Sequence, residues 1–189
     1  MEETLFQLWG KRNPNWEKKY EEILIKPYCD YGRGATQFNE DRGKIFGGGY
    51  EMFIVAFFLG LYTGKRKPLT TDPSKKKGFG FPIQSWGNLE NRNKRTSYAS
   101  LRDYIFAALI AKTQIDFIAL DKGEISPKDV VDSLMKTMEE YANTGFRIMS
   151  ELVEENPNYF FKEGAFLKQF LQFVTPAEPA GDAEPESLD

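Results

Sequence analysis

Residues 47–69 read GGGYEMFIVAFFLGLYTGKRKPL, three glycines, a nearly unbroken apolar run, and then a glycine opening onto Lys65, Arg66 and Lys67. Periodicity alone does not separate a buried helix from a buried strand in a run that is apolar all round. Its length and its alanine, leucine and methionine content favour a helix over Tyr50–Tyr62. Gly64 stands where a left-handed C-terminal cap is expected, and the three cations after it suit the negative end of a helix dipole. The run falls short of the roughly 20 apolar residues that a bilayer span needs, so a core helix is expected and no membrane contact.

Working outward, residues 98–120 contain a second run that is apolar on every face, Tyr104 to Ala111, which predicts another central helix. Ser126-Pro127-Lys128-Asp129 has the form of a capping box with proline at the first helical position. It predicts an amphipathic helix from Pro127 to about Glu154. Asn13-Pro14 reads as a further helix start, with Pro27 as the stop. Lys44-Ile45-Phe46 reads as a short strand, and 161–174 as a last helix carrying Phe166, Phe170 and Phe173. Residues 64–97 show little periodicity and read as a long loop, with a small hairpin considered around GFGFPIQSWG. The fold class expected is mainly α: a single-domain helical bundle over 1–174 with two buried central helices, followed by a disordered acidic tail, 175–189.

Composition narrows the chemistry. Among 189 residues there is no histidine and one cysteine, Cys29. This rules out imidazole acid–base catalysis, Ser-His and Cys-His pairs, and thiolate zinc sites within the chain. With Met-Glu-Glu-Thr at the start and no disulfide to form, a cytoplasmic protein without cofactor or metal is expected.

Charge is unevenly spread. The net charge is −3, yet residues 63–102 hold 10 basic and 2 acidic side chains, a net of +8, while 103–189 hold 7 basic and 17 acidic, a net of −10. A block of this kind attracts anionic partners. Lys65, Arg66, Lys67, Lys75, Lys76 and Lys77 are the candidate phosphate contacts, with Arg92, Lys94 and Arg95 closing the patch. Phe79, Phe81, Trp86 and Tyr98 are interleaved with them, and Phe79 and Trp86 are the candidates for stacking on bases. The partner is nucleic acid or an acidic protein surface. A solvated loop, and a loop neutralised by the chain's own acids, are the bland readings.

Two enzymatic readings are weaker. Gly60 to Arg66 is one residue short of a phosphate-binding P-loop and has Arg where Ser or Thr must hold magnesium. Asp116, Asp121, Lys122 and Glu124 are the residue types of a metal-dependent nuclease, but Asp121 and Lys122 are adjacent, which fits the last turn of a helix better. Gly47-Gly48-Gly49 is a possible anion nest or simply a sharp turn. Glu139 and Glu140 read as part of a solvated helix face, and Cys29 as a small, partly buried residue.

Ile45, Phe46, Phe57, Leu59, Gly60, Gly64, Lys65, Arg66, Pro68 and Leu69 form a pattern of a short IF element, an apolar helix ending in glycine, a basic pair and Pro-Leu. It resembles small proteins associated with Dnd-type DNA phosphorothioation systems. The resemblance implies a non-catalytic, DNA-linked accessory role in a prokaryotic defence locus. A structural protein–protein interaction subunit is the alternative.

Overall fold

A computed structural model describes residues 3–30, 45–88 and 96–172 of the chain. In chain order these form α1 (Leu5–Gly10), β1 (Asn15–Glu17), a π-helical turn Glu21–Ile25 running into α2 (Lys26–Tyr28), α3 (Gly49–Thr63) and β2 (Lys76–Gly78). Then follow α4 (Leu101–Lys112), α5 (Phe117–Asp121), α6 (Pro127–Glu155) and α7 (Ala165–Leu171). The described part is mainly helical, with one two-stranded sheet. None of its helices is long and apolar enough to cross a membrane.

The apolar run of α3 is a core helix. Met52, Phe53, Ile54, Ala56, Phe57 and Leu59 are buried, and Gly64 closes the helix in the left-handed conformation at φ 66°. At the other end the Gly47 N–H donates to Glu51 Oε2 at 2.7 Å. The anion at this helix N-terminus is therefore the chain's own carboxylate, and the triglycine serves as a turn.

The most extensive packing in the fold joins α3 to α6. In α6 the capping box forms as the sequence indicates: Asp129 N–H donates to Ser126 Oγ at 3.2 Å, and Ser126 N–H to Asp129 Oδ2 at 3.0 Å. Val130, Leu134, Met138, Tyr141, Phe146, Met149 and Val153 are buried along its length. Two glycines let the helices touch backbone to backbone. A Cβ on Gly60 would lie 1.9 Å from the Tyr141 carbonyl oxygen, and one on Gly145 would lie 1.8 Å from the Ala56 carbonyl oxygen.

Several expectations are corrected. The second central helix is α6, not the 98–120 segment. That segment breaks at Thr113 into α4 and α5, and α4 buries only Ile105 and Leu109 while Tyr104 stays 68% exposed. Its alanines offer little area to bury, whereas α6 has a long stripe of large side chains. Asn13-Pro14 starts no helix. Residues 15–17 pair instead with a distant partner, in the antiparallel register Asn15↔Gly78, Trp16↔Lys77, Glu17↔Lys76. That pairing also replaces the hairpin considered within 78–87. Pro27 lies in the first turn of α2 rather than ending a helix. Of the 44–46 strand, a single bridge between Cys29 and Phe46 is found among the described residues. The last helix is shorter than expected, and Phe173 and the tail 175–189 lie outside the described residues.

The basic segment as a candidate anion interface

The segment from Lys65 to Gly78 is fastened to the fold through its main chain. Lys67 N–H donates to the Glu140 carbonyl at 3.1 Å. The side-chain amide of Asn143, buried in α6, donates to the carbonyls of Lys67 (3.3 Å) and Pro68 (3.1 Å) and to Glu17 Oε1 at 3.2 Å. Thr70 N–H reaches the same Glu17 oxygen at 2.8 Å. Asp72 then caps a short turn by accepting from Ser74 N–H at 2.9 Å, Lys18 N–H donates to the Lys75 carbonyl at 2.9 Å, and β2 pairs with β1.

Glu17 is the hub. Its residue is only 6% exposed, and it also pairs with Lys19. Burial pushes its carboxyl up, but the Lys19 ammonium, the Thr70 N–H and the Asn143 amide outweigh this and hold it below the ordinary carboxylate value. On α6, Glu139 goes the other way. Burial raises its carboxyl despite two bonds from Asn15, at 2.8 Å (N–H) and 3.0 Å (Nδ2), and the nearby charges of Lys76 and Arg12. Glu140 is buried as well. The solvated face expected for these two glutamates is thus corrected: both fix the basic segment and β1 to α6.

The side chains of the segment divide into two groups. Arg66 faces Glu140 at 3.8 Å and Thr137 Oγ1 at 3.5 Å, Lys75 faces Asp72 at 3.7 Å, and Lys77 pairs with Glu21 at 2.7 Å. Lys77 Nζ also lies 5.9 Å from the centroid of the Trp16 ring. Lys65, Lys67 and Lys76 make no ion pair with any described residue. Arg92, Lys94 and Arg95 lie outside the described residues.

The stacking assignments are corrected. Trp86 is 1% exposed, with Tyr50, Phe53 and Phe79 against its ring and its Nε1 donating to the Phe81 carbonyl at 3.2 Å. Phe79 packs on Trp16, Phe53 and Trp86. Trp86 thus belongs to the core and offers no face to a base, while the half-buried Phe79 packs against that core. Aromatic payload outweighs their basic neighbours: burying a large ring gains more than exposing it.

The nuclease residues also have structural roles. Asp116 Oδ1 caps α5 by accepting from Ala119 N–H at 2.9 Å, and Asp121 and Lys122 end that helix before Gly123 at φ 74°. Among the described residues no group of three or more Asp, Glu, Cys or His could hold a metal. Cys29 is buried.

Sequence reading passed over Glu17 and Asn143. Asn143 carried a visible signal, since it falls on the apolar stripe of α6, where a polar residue needs a partner. No family model, no curated protein and no solved structure matches the chain.

Proposed function

We propose that the chain is a non-catalytic, cytoplasmic accessory protein that offers residues 65–78 as a preformed surface to the phosphate backbone of a nucleic acid. One observation carries this reading. The segment's main chain is held by Glu140, Asn143, Glu17 and Lys18, while Lys65, Lys67 and Lys76 form no salt bridge among the described residues, Glu139 being a carboxyl that feels the Lys76 charge. Positive charge presented from an ordered backbone binds a polyanion with little further ordering cost. Three other cations, Arg66, Lys75 and Lys77, sit beside carboxylates and act as a reserve that a phosphate can draw away only by competing with Glu140, Asp72 and Glu21. The likeness of residues 45–69 to Dnd-associated proteins supports a DNA-linked role in a defence locus.

The test compares two triple variants of equal charge. Lys65→Ala/Lys67→Ala/Lys76→Ala removes the surface. Lys112→Ala/Lys162→Ala/Lys168→Ala removes three exposed lysines elsewhere. In anisotropy titrations with a labelled oligonucleotide at low salt, the first should weaken binding about tenfold, at roughly 0.5 kcal/mol per phosphate contact, and the second should leave it nearly unchanged. Equal losses would make the interaction one of net charge alone, and binding of an acidic protein but no oligonucleotide would favour the assembly role.

A further inference from the structure

We propose that Phe81 is the residue on which an unpaired base of a single-stranded nucleic acid stacks. The inference rests on the phosphate-binding reading above and adds to it the class of nucleic acid.

Four rings lie in the basic stretch, and three are already engaged. Trp86 is in the core, the half-buried Phe79 packs on Trp16, Phe53 and Trp86, and the half-buried Tyr98 donates its hydroxyl to Glu51 Oε1 at 2.7 Å. Phe81 differs. It is 59% exposed and packs against no other aromatic ring among the described residues. Its main chain is nonetheless well held. The Phe81 carbonyl accepts from Trp86 Nε1 at 3.2 Å, Pro82 follows it, and Ile83 N–H donates to the Arg12 carbonyl at 3.0 Å. A ring borne on a fixed backbone loses little freedom when it stacks.

Its position matters as much as its exposure. Phe81 follows Lys76 by five residues, so their Cα atoms are at most about 17 Å apart. Of the other large exposed apolar side chains, Tyr62 at the end of α3 stands nearest the basic segment, but its ring packs edge-on against Phe170 at 5.2 Å, while Tyr104, Phe117, Ile118, Leu167 and Leu171 lie on α4, α5 and α7. Lysines that neutralise phosphates beside an exposed ring are the combination by which proteins hold single strands. The bases of a duplex are stacked on each other and have no free face for Phe81, so the preference is for single strands.

The experiment uses a labelled mixed-sequence oligonucleotide, single-stranded in one arm and as a hairpin duplex in the other. Wild type, Phe81→Ala and Phe81→Tyr are titrated on both, and their thermal melts are compared. Phe81→Ala should weaken single-strand binding between about 5-fold and about 100-fold, the range of one base–aromatic stack. Duplex binding and melting temperature should be unchanged, and Phe81→Tyr should restore the single-strand affinity. No loss on the single strand, or the same loss on both forms, overturns the assignment. If the Lys65/Lys67/Lys76 triple variant loses binding on both forms while Phe81→Ala loses none, only the Phe81 assignment falls. If the lysine variant binds like wild type, the phosphate reading falls with it.

Discussion

Replacing Gly145 by alanine is the sharpest probe of how this fold is held. Alanine in a helix interior is favoured over glycine by about 1 kcal/mol, so at an open site the change would stabilise the protein. Here the new Cβ would lie 1.8 Å from the Ala56 carbonyl oxygen and 2.4 Å from its carbon, both backbone atoms that no rotamer change can move. A carbon–oxygen contact settles near 3.3–3.6 Å, so α3 and α6 must separate by roughly 1.5 Å along their main seam. Overpacking costs about 1–3 kcal/mol, occasionally more, and the seam then loses contacts along its length. Set against the propensity gain, a backbone clash at the upper end of that range leaves a net loss of about 2 kcal/mol. At about 2–4 °C per kcal/mol for a chain of this size, that lowers Tm by about 4–8 °C in a calorimetric or circular-dichroism melt. Gly60→Ala should behave alike, its Cβ falling 1.9 Å from the Tyr141 carbonyl oxygen. The double variant should be less than additive, because helices already parted by one methyl accommodate the second. A rise in Tm for Gly145→Ala, by the propensity gain, would refute the close crossing. It would also unsettle the placement of Glu140 and Asn143, which hold the basic segment from the same stretch of α6.

Further outcomes follow from individual side chains. Glu17 has a carboxyl lowered in the folded state, so the native protein binds fewer protons than the unfolded chain across the acid range, and the stability this carboxylate adds is lost as pH falls below about 4.5. Glu17→Gln should flatten that acid limb in pH-dependent melts and cost about 1–3 kcal/mol at pH 7 through weakened bonds to Lys19, Thr70 and Asn143. Glu139, raised by burial, has the opposite sign: its contribution is lost as pH rises through its folded value, so Glu139→Gln should cost less at neutral pH than at acid pH. Trp86→Ala should lose about 3–5 kcal/mol as a core deletion, visible as a large fall in denaturation midpoint, whereas the exposed Phe81→Ala should stay within about 0.5 kcal/mol of wild type.

The parts of this fold that could be read from sequence are those decided locally. Ser126-Pro127-Lys128-Asp129 caps α6 and Gly64 closes α3, because capping depends on residues within one turn of each other. The parts misread are those decided by distant partners. Residues 15–17 become a strand because Lys76–Gly78 pairs with them, and α4 is peripheral because α6 outcompetes it for the face of α3. For the candidate interface, the charge block marked out the segment proposed above, but sequence alone gave no way to sort its cations or its rings. Which lysines lack partners depends on Glu140, Glu21 and Asp72 meeting their neighbours in space. That Trp86 is core while Phe81 is exposed depends on Tyr50, Phe53 and Phe79 closing around the indole.

The phosphate-binding account is tested most directly by measuring affinity for one duplex oligonucleotide across a series of salt concentrations. Contacts from Lys65, Lys67 and Lys76 should give log Kobs against log salt a slope of about −2.7 for wild type, flattening toward zero in the triple alanine variant. A wild type whose affinity does not change with salt, or a triple variant with the wild-type slope, would contradict it.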